Sequence, residues 1–426
     1  MSGAVAAHAA HNGSGTQGLA VTHKVTDTDG DVQSVFWNAN NTTRHLVYGS
    51  AFVEIPANAG SGTSTAGSPI TQVFDVNNDI DCLGDIVLKV EITGNGTGIN
   101  PLQIASLIDR VEMQVGTQIW QTLEKADLLA LASTELSSGS FSDFALHASG
   151  GVTDRGEYTD IPGSQVAASL GKFVSETNGF VAFLPLKMFT KTLGPNLENF
   201  AEQTETGYLM AAAPHQQVKI KVVTKAITMS SGSGHGIKND DVVNLSLFAK
   251  SQVMCNEERE ALKAMPQGVP KRIKMSQHAT KTYASGNMEL DLDHFSLYAS
   301  HILITIPLNV VGNGLEQVEP EAELLLNSSS FSGKLPLGLL RMTGSSIGLY
   351  TNSYTTNNTD TAGTAVYVFP LAARVYSGSS VPLNRFDNIR LKLTGLASGP
   401  SGDVDVTCVG ETTALYKNGA ASLAMY

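Results

Sequence analysis

Few residues in this 426-residue chain have the types and spacing that chemistry requires. Gly344-Ser-Ser-Ile-Gly348 matches the G-x-S-x-G pattern, in which Ser346 would be the nucleophile. That pattern works only on a sharp turn between a strand and a helix. Here "LYTNSYTTNNT" follows, which is loop or strand material, so the reading is a plain turn. Asp27, Asp29 and Asp31 alternate as in a calcium loop, but Val32 and Asn38 stand where an EF-hand would want Gly and Glu. An acidic turn is the simpler account. Asp75, Asp79, Asp81 and Asp85 lack the coordination order of a cation cage. The ten histidines are scattered, and His294 and His301 lie too far apart on extended chain to share one ligand set. "LGKF" and "SGKL" lack the Ser or Thr that a phosphate loop carries after its Lys, and "GNGTG" reads as a turn. Cys82, Cys255 and Cys408 form no C-x-x-C, so neither a zinc site nor a disulfide framework is indicated. No catalytic, cofactor-binding or metal residue is assigned, no cofactor is expected, and the expectation is a protein that is not an enzyme.

Composition supports a structural role. Charged residues make up 15%, against roughly 25% in an average soluble domain. A weakly charged, polar surface suits interfaces, whose centres are depleted of charge. The net charge of −12 argues against direct nucleic-acid binding, which needs a basic footprint. The basic run "VPKRIK" (269–274), with Lys271, Arg272 and Lys274, reads as a solvated strand or linker face. The N-terminal "MSGAVAAHAAHNGSGTQG" lacks a basic start and an apolar core, so it reads as a flexible arm rather than a signal peptide. "LYASHILITIPLNVV" is too short and too interrupted to span a bilayer.

The elements that must position any site are mostly strands. "DIVLKVEIT" (85–93), "DRVEMQVG" (109–116), "QVKIKVVT" (217–224), "VVNLSLFAKSQVM" (242–254), "SHILITIPL" (300–308), "AVYVFPLAARVY" (365–376) and "DVDVTCVGETTALY" (403–416) are β-rich. "NRFDNIRLKLTG" (384–395) alternates Ile389, Leu391 and Leu393 against Arg390, Lys392 and Thr394. Its polar first half has side chains that could bond the backbone and fix the strand entry. Loops at 57–68, 137–156, 228–240 and 351–364 are rich in Gly, Ser, Thr and Asn. Residues 121–136 could hold one or two helical turns. "CNEEREALKAMP" (255–266) has a helix's cap, acidic first turn and terminal proline, and it lies between two strand-rich halves. Many short strands with long polar loops indicate sandwiches or jelly rolls.

Taken in order, these segments resemble the double jelly-roll major capsid proteins of icosahedral DNA viruses of eukaryotes, the nucleocytoplasmic large DNA virus and polinton-like lineage. "SVFWNANNTTRHLVYGSAFVEIP" is similar to the family's entry to its first jelly roll. "NNDIDCLGDIVLKVEIT" resembles its strand with Gly-Asp before an apolar run. "IASLIDRVEMQVGTQIWQTLEKADLLALASTEL" looks like the family's strand and following helix. "FLPLKMFTKTLGPNLENFAEQ" and "YLMAAAPHQQVKIKVV" resemble the next stretch, although Ala213, Pro214 and His215 replace its usual residues. "LSLFAKSQVMCNEEREAL" is similar to its acidic inter-domain turn, with Glu258 and Arg259 in place. Asn384, Arg385, Asp387 and Asn388 match a late polar motif that lacks only the family's Ser before Arg. "ETTALYKNGAASLAMY" is similar to the family's ending. The resemblance runs from about residue 33 to the C-terminus.

It implies an all-β chain of two consecutive eight-stranded jelly rolls, with few short helices and long loops. The expected divisions are an N-terminal arm (1–25), a first jelly roll with a connector helix (26–265) and a second jelly roll (266–426). The implied role is a major capsid protein that forms homotrimers, pseudo-hexagonal capsomers tiling an icosahedral shell. Penton and minor capsid proteins would be partners, with an internal membrane nearby in some shells. The protein would reside in the virion capsid after assembly in the host cytoplasm or nucleus. The alternatives are a minor capsid or attachment protein with a glycan-binding β-sandwich, or a bicupin enzyme, each without its expected aromatic platform or ligand set.

Overall fold

The computed structural model describes residues 48–58, 63–76, 80–93, 107–135, 180–188, 208–227, 237–254, 269–283, 286–307, 319–347, 349, 364–372, 380–397 and 402–424. The expected N-terminal arm, Asp27, Asp29 and Asp31, the connector helix at 255–266 and Cys255 lie outside these residues, as do the loops at 137–156 and nearly all of 351–364.

Up to residue 254 the strands are β1 (Tyr48–Ile55), β2 (Thr63–Thr65), β3 (Thr71–Val76), β4 (Cys82–Thr93), β5 (Ile108–Val115), β6 (Gln118–Glu124), β7 (Phe180–Leu186), β8 (Tyr208–Leu209), β9 (Val218–Thr224) and β10 (Val242–Met254). Helix α1 (Lys125–Glu135) follows β6. From residue 269 come β11 (Val269–Tyr283), β12 (Met288–Asp291), β13 (Tyr298–Pro307), β14 (Glu321–Leu326), β15 (Ser329–Ser330), β16 (Leu335–Pro336), β17 (Thr364–Pro370), β18 (Val381–Pro382), β19 (Ile389–Thr394), β20 (Gly402–Lys417) and β21 (Ala420–Ala424). Helix α2 (Leu337–Ser346) precedes β17.

Among the described residues the strands form four antiparallel sheets, and none mixes strands up to residue 254 with strands from residue 269 onward. The first unit pairs β1-β10-β4-β7 and β3-β9-β5-β6; the second pairs β11-β20-β13-β17 and β12-β19-β14-β15. The short strands β2, β8, β16, β18 and β21 attach to these paths. Numbering the eight path strands of each unit in chain order, both read 1-8-3-6 and 2-7-4-5. This is a repeated jelly roll, and the repeat is one of topology, invisible as sequence similarity.

Period-two alternation builds the cores. Leu88, Val90 and Ile92 of β4 face Val218, Ile220 and Val222 of β9 in one core. Ile389, Leu391 and Leu393 of β19 are buried while Arg390 is exposed, as the alternation predicts. The entry to β19 is specified by the partner strands' loops more than by its own side chains. The Asn327 side-chain oxygen accepts from the backbone N–H of Asp387 (2.9 Å) and Asn388 (3.2 Å), and Asp293 accepts from Ile389 (2.5 Å).

Several local expectations need correction. The segment 121–136 stays in β6 as far as Glu124 and then makes an 11-residue helix, about three turns rather than one or two. The loop at 57–68 contains the strand Thr63–Thr65, which adds to the edge of β10. The turn expected at Gly344–Gly348 is the end of α2: Gly344, Ser345 and Ser346 close that helix, the reverse of a nucleophile elbow. Lys274 is corrected below.

Candidate functional site: the seam between the two jelly rolls

Helix α1 belongs to the first unit by sequence but lies between both. It contacts β5, β6 and β7 on one side and β13, β17 and β20 on the other. From Asp127 to Glu135 every residue is buried, the signature of a helix packed all round. Its N-terminus is set by Asp127, whose Oδ2 accepts the backbone N–H of Glu124 at 2.9 Å, one half of a capping box.

The sheet β11-β20-β13-β17 is covered on both faces in its middle. Ile273, Lys274, Met275 and Ser276 are consecutive buried residues of β11, and β13 is buried continuously from Ala299 to Ile306. One face meets its partner sheet. The other receives α1 and carries polar side chains that close onto it.

Lys274 is one of these. Far from a solvated face, its side chain is wholly buried and its ammonium donates to Glu135 at the end of α1, itself wholly buried. Burial lowers the Lys274 pKa and Glu135 acts against that, so the pairing offsets part of the cost of burying both groups. Four residues along β11, His278 Nδ1 lies 2.9 Å from Asp127 Oδ1. Its Nε2 lies 3.3 Å from Glu124 and 3.5 Å from Asp405. Burial pulls this imidazole down, but Asp127, Asp405 and Glu124 outweigh it, and its pKa is pushed up to about 10. Both ring nitrogens therefore donate. The Thr407 hydroxyl donates to the same Asp127 oxygen, and Gln121 Nε2 donates to Ser276 Oγ at 2.9 Å. Asp127 thus caps its own helix with one oxygen and binds the second unit with the other.

The C-terminal hairpin forms a second contact. Asn418 and Gly419 both have positive φ (54° and 74°), as a two-residue primed turn between β20 and β21 requires. The His215 backbone N–H donates to the Gly419 carbonyl at 3.0 Å, and Gln216 accepts from Ala421 N–H at 2.6 Å. Tyr416 accepts the Leu209 N–H at 3.1 Å. Its ring meets Tyr208 edge-on at 5.5 Å, and Tyr208 meets Trp120 at 5.4 Å.

His301, considered above as a metal ligand, is fully buried. Ser300 Oγ donates to the Val409 carbonyl at 3.1 Å and lies 2.8 Å from His301 Nδ1, which therefore carries the proton. Burial first, then Lys274, holds its pKa down at about 3. His294 instead lies 2.9 Å from the His278 carbonyl, so the two histidines do not share a site. Cys82 and Cys408 are buried, and burial keeps the Cys408 thiol protonated. Asp75 and Asp81 sit on different parts of the first unit: Asp75 receives Asn58 Nδ2 at 2.5 Å, and the Asp81 carbonyl takes the Ala211 N–H. Among the described residues no group of three or more His, Cys, Asp or Glu is placed to hold a metal ion. Sequence reasoning missed the seam itself. Its available signal was the unbroken apolar run "HILITIP", which marks a strand covered on both faces.

No protein-family model and no curated protein matches the sequence. Solved structures do match the fold. The capsid protein VP54 of the virus PBCV-1, fitted into a cryo-EM reconstruction of the virophage Sputnik, aligns with TM-score 0.65 at 12% identity, over 90% of this chain and 98% of that one. A quasi-atomic PBCV-1 capsid structure gives 0.63 at 13% identity, with the same coverage. The Faustovirus major capsid protein gives 0.58 at 8% identity over 94% of both chains. With two repeated jelly rolls and near-complete coverage in these alignments, this chain has the double jelly-roll fold of viral major capsid proteins.

Proposed function

We propose that the chain is a major capsid protein whose copies form homotrimeric, pseudo-hexagonal capsomers that tile an icosahedral shell. The observation that carries this reading is the repeated strand order of two jelly rolls locked by a buried seam. Two equivalent wedges in each chain and three chains in each ring give six wedges, which is how a trimer fills a hexagonal lattice position. The reading divides the chain into an arm (1–25), a first jelly roll (26–265) and a second (266–426). The confinement of every described sheet to one side of 254–269 supports that division. It makes the protein a non-enzymatic component of the virion, with penton and minor capsid proteins as neighbours.

Light scattering after size exclusion, with negative-stain images of the same peak, tests the proposal. Three chains of 44.9 kDa give about 135 kDa and a hexagonal outline. A stable monomer that forms no arrays at high concentration or on a preformed shell would remove it.

A further inference from the structure

Next to the His278 lock the seam opens into a cleft of about 370 Å³, in the range of small-molecule sites. Its walls are the start of α1, the start of β5, Lys225 just beyond β9, and the ends of β13 and β20. Charged residues dominate the lining, and their pairing is lopsided. Asp109 is bound by Arg110 at 3.1 Å and Lys225 at 3.3 Å. Glu124 and Asp405 are held by His278, Asp405 also accepts the Thr280 hydroxyl, and Asp403 accepts the Thr282 hydroxyl at 2.8 Å. Each carboxylate thus has a partner.

Lys125 does not. Half-buried in the cleft, it makes no hydrogen bond or ion pair among the described residues, and burial with the nearby Lys225 lowers its pKa while Asp405 acts against this only through space. A second group in the same wall is also unmatched. Thr305 is 4% exposed, and its buried Oγ1 has no hydrogen-bond partner among the described residues. It lies opposite Asp405 in the strand register, so both side chains point to the face that lines the cleft.

We propose that this cleft binds a small oxyanion, a carboxylate or phosphate, with Lys125 supplying the charge and the Thr305 hydroxyl a hydrogen bond. A cation would find every carboxylate already engaged. A neutral apolar ligand would bury Lys125 unmatched, at a cost. An oxyanion satisfies both groups, and the positive end of the 11-residue α1 adds to its binding. The site stands whether or not the chain builds a shell.

Titration calorimetry on the full chain tests it, using inorganic phosphate and, separately, acetate, with chloride holding ionic strength constant. The expected result is saturable binding of one anion per chain, weakened about tenfold or more in Lys125→Met and in Thr305→Val. Neither substitution removes a partner in this structure, so both variants should keep the wild-type melting temperature. In the wild-type protein, NMR of the Lys125 Nζ should show its titration moving upward as the anion is added. Absence of saturable binding by both anions overturns the proposal. So does equal binding by Lys125→Met, or a Lys125 titration that ignores the anion.

Discussion

His278 and His301 stand on β11 and β13, either side of β20, and are held in opposite protonation states. His278 is kept charged by three carboxylates, with a pKa of about 10 against an ordinary 6.5. Its stabilisation is complete below about pH 6.5 and is lost as pH rises through about 10. His301 is kept neutral, with a pKa of about 3. Its contribution is complete above about pH 6.5 and is lost as pH falls towards 3. Urea midpoints measured from pH 4 to 10 should therefore peak near pH 6.5 and fall on both sides. His278→Gln should flatten the alkaline limb, and an unchanged limb would show that the imidazole is not the group responsible. Lys274 makes a separate prediction. Replacing it with Met takes the ammonium away from Glu135 in a dry interior, which should cost about 3–5 kcal/mol, and adding Glu135→Leu should recover part of that loss. Equilibrium denaturation of the three proteins checks the order.

At the scale of elements, α1 and the C-terminal hairpin join the two units. A Cβ on Gly419 would sit 2.2 Å from the His215 imidazole, and the residue also needs positive φ. Gly419→Ala should lower stability by about 1–3 kcal/mol, with amide exchange accelerating first around His215 and β21. Asp127→Ala removes a helix cap and the main His278 partner together, and should cost about 3 kcal/mol or more in a thermal melt. Strands were the part of the fold legible in the sequence, because Val218/Ile220/Val222 and Ile389/Leu391/Leu393 record which face is dry. The seam was not legible. Lys274 follows Ile273 in ordinary alternation and looks like a wet-face residue, and only the arrival of α1 from 139 positions earlier dries that face. Pairings of that range leave no local pattern. Nor did the end of α2 announce itself, since Gly344 is a poor helix former; the helix as a whole packs against β17.

For the molecule as a whole, a seam built around buried polar and ionisable pairs should make the two jelly rolls unfold as one. A calorimetric scan should show a single transition, and Lys274→Met should split or broaden it; two separate transitions in the wild type would contradict the lock. In both units the last long strand, β10 or β20, sits inside its sheet with neighbours on each side. This placement affects how the chain is made. A ribosome delivers residues in order, so the first sheet lacks an inner strand until β10 emerges. Helix α1 then waits, dry on one side and bare on the other, for β11, β13 and β20. Tyr416 and Gly419, which complete the contact with Leu209 and His215, follow those residues by more than 200 positions. A chain truncated before Tyr416 would leave Tyr208 with Trp120 as its ring partner and would lose the bonds made by the Leu209 and Ala421 N–H groups. The first unit's side of this contact is thus made more than 200 residues before its partner, and the docking of the two units is a late event of synthesis.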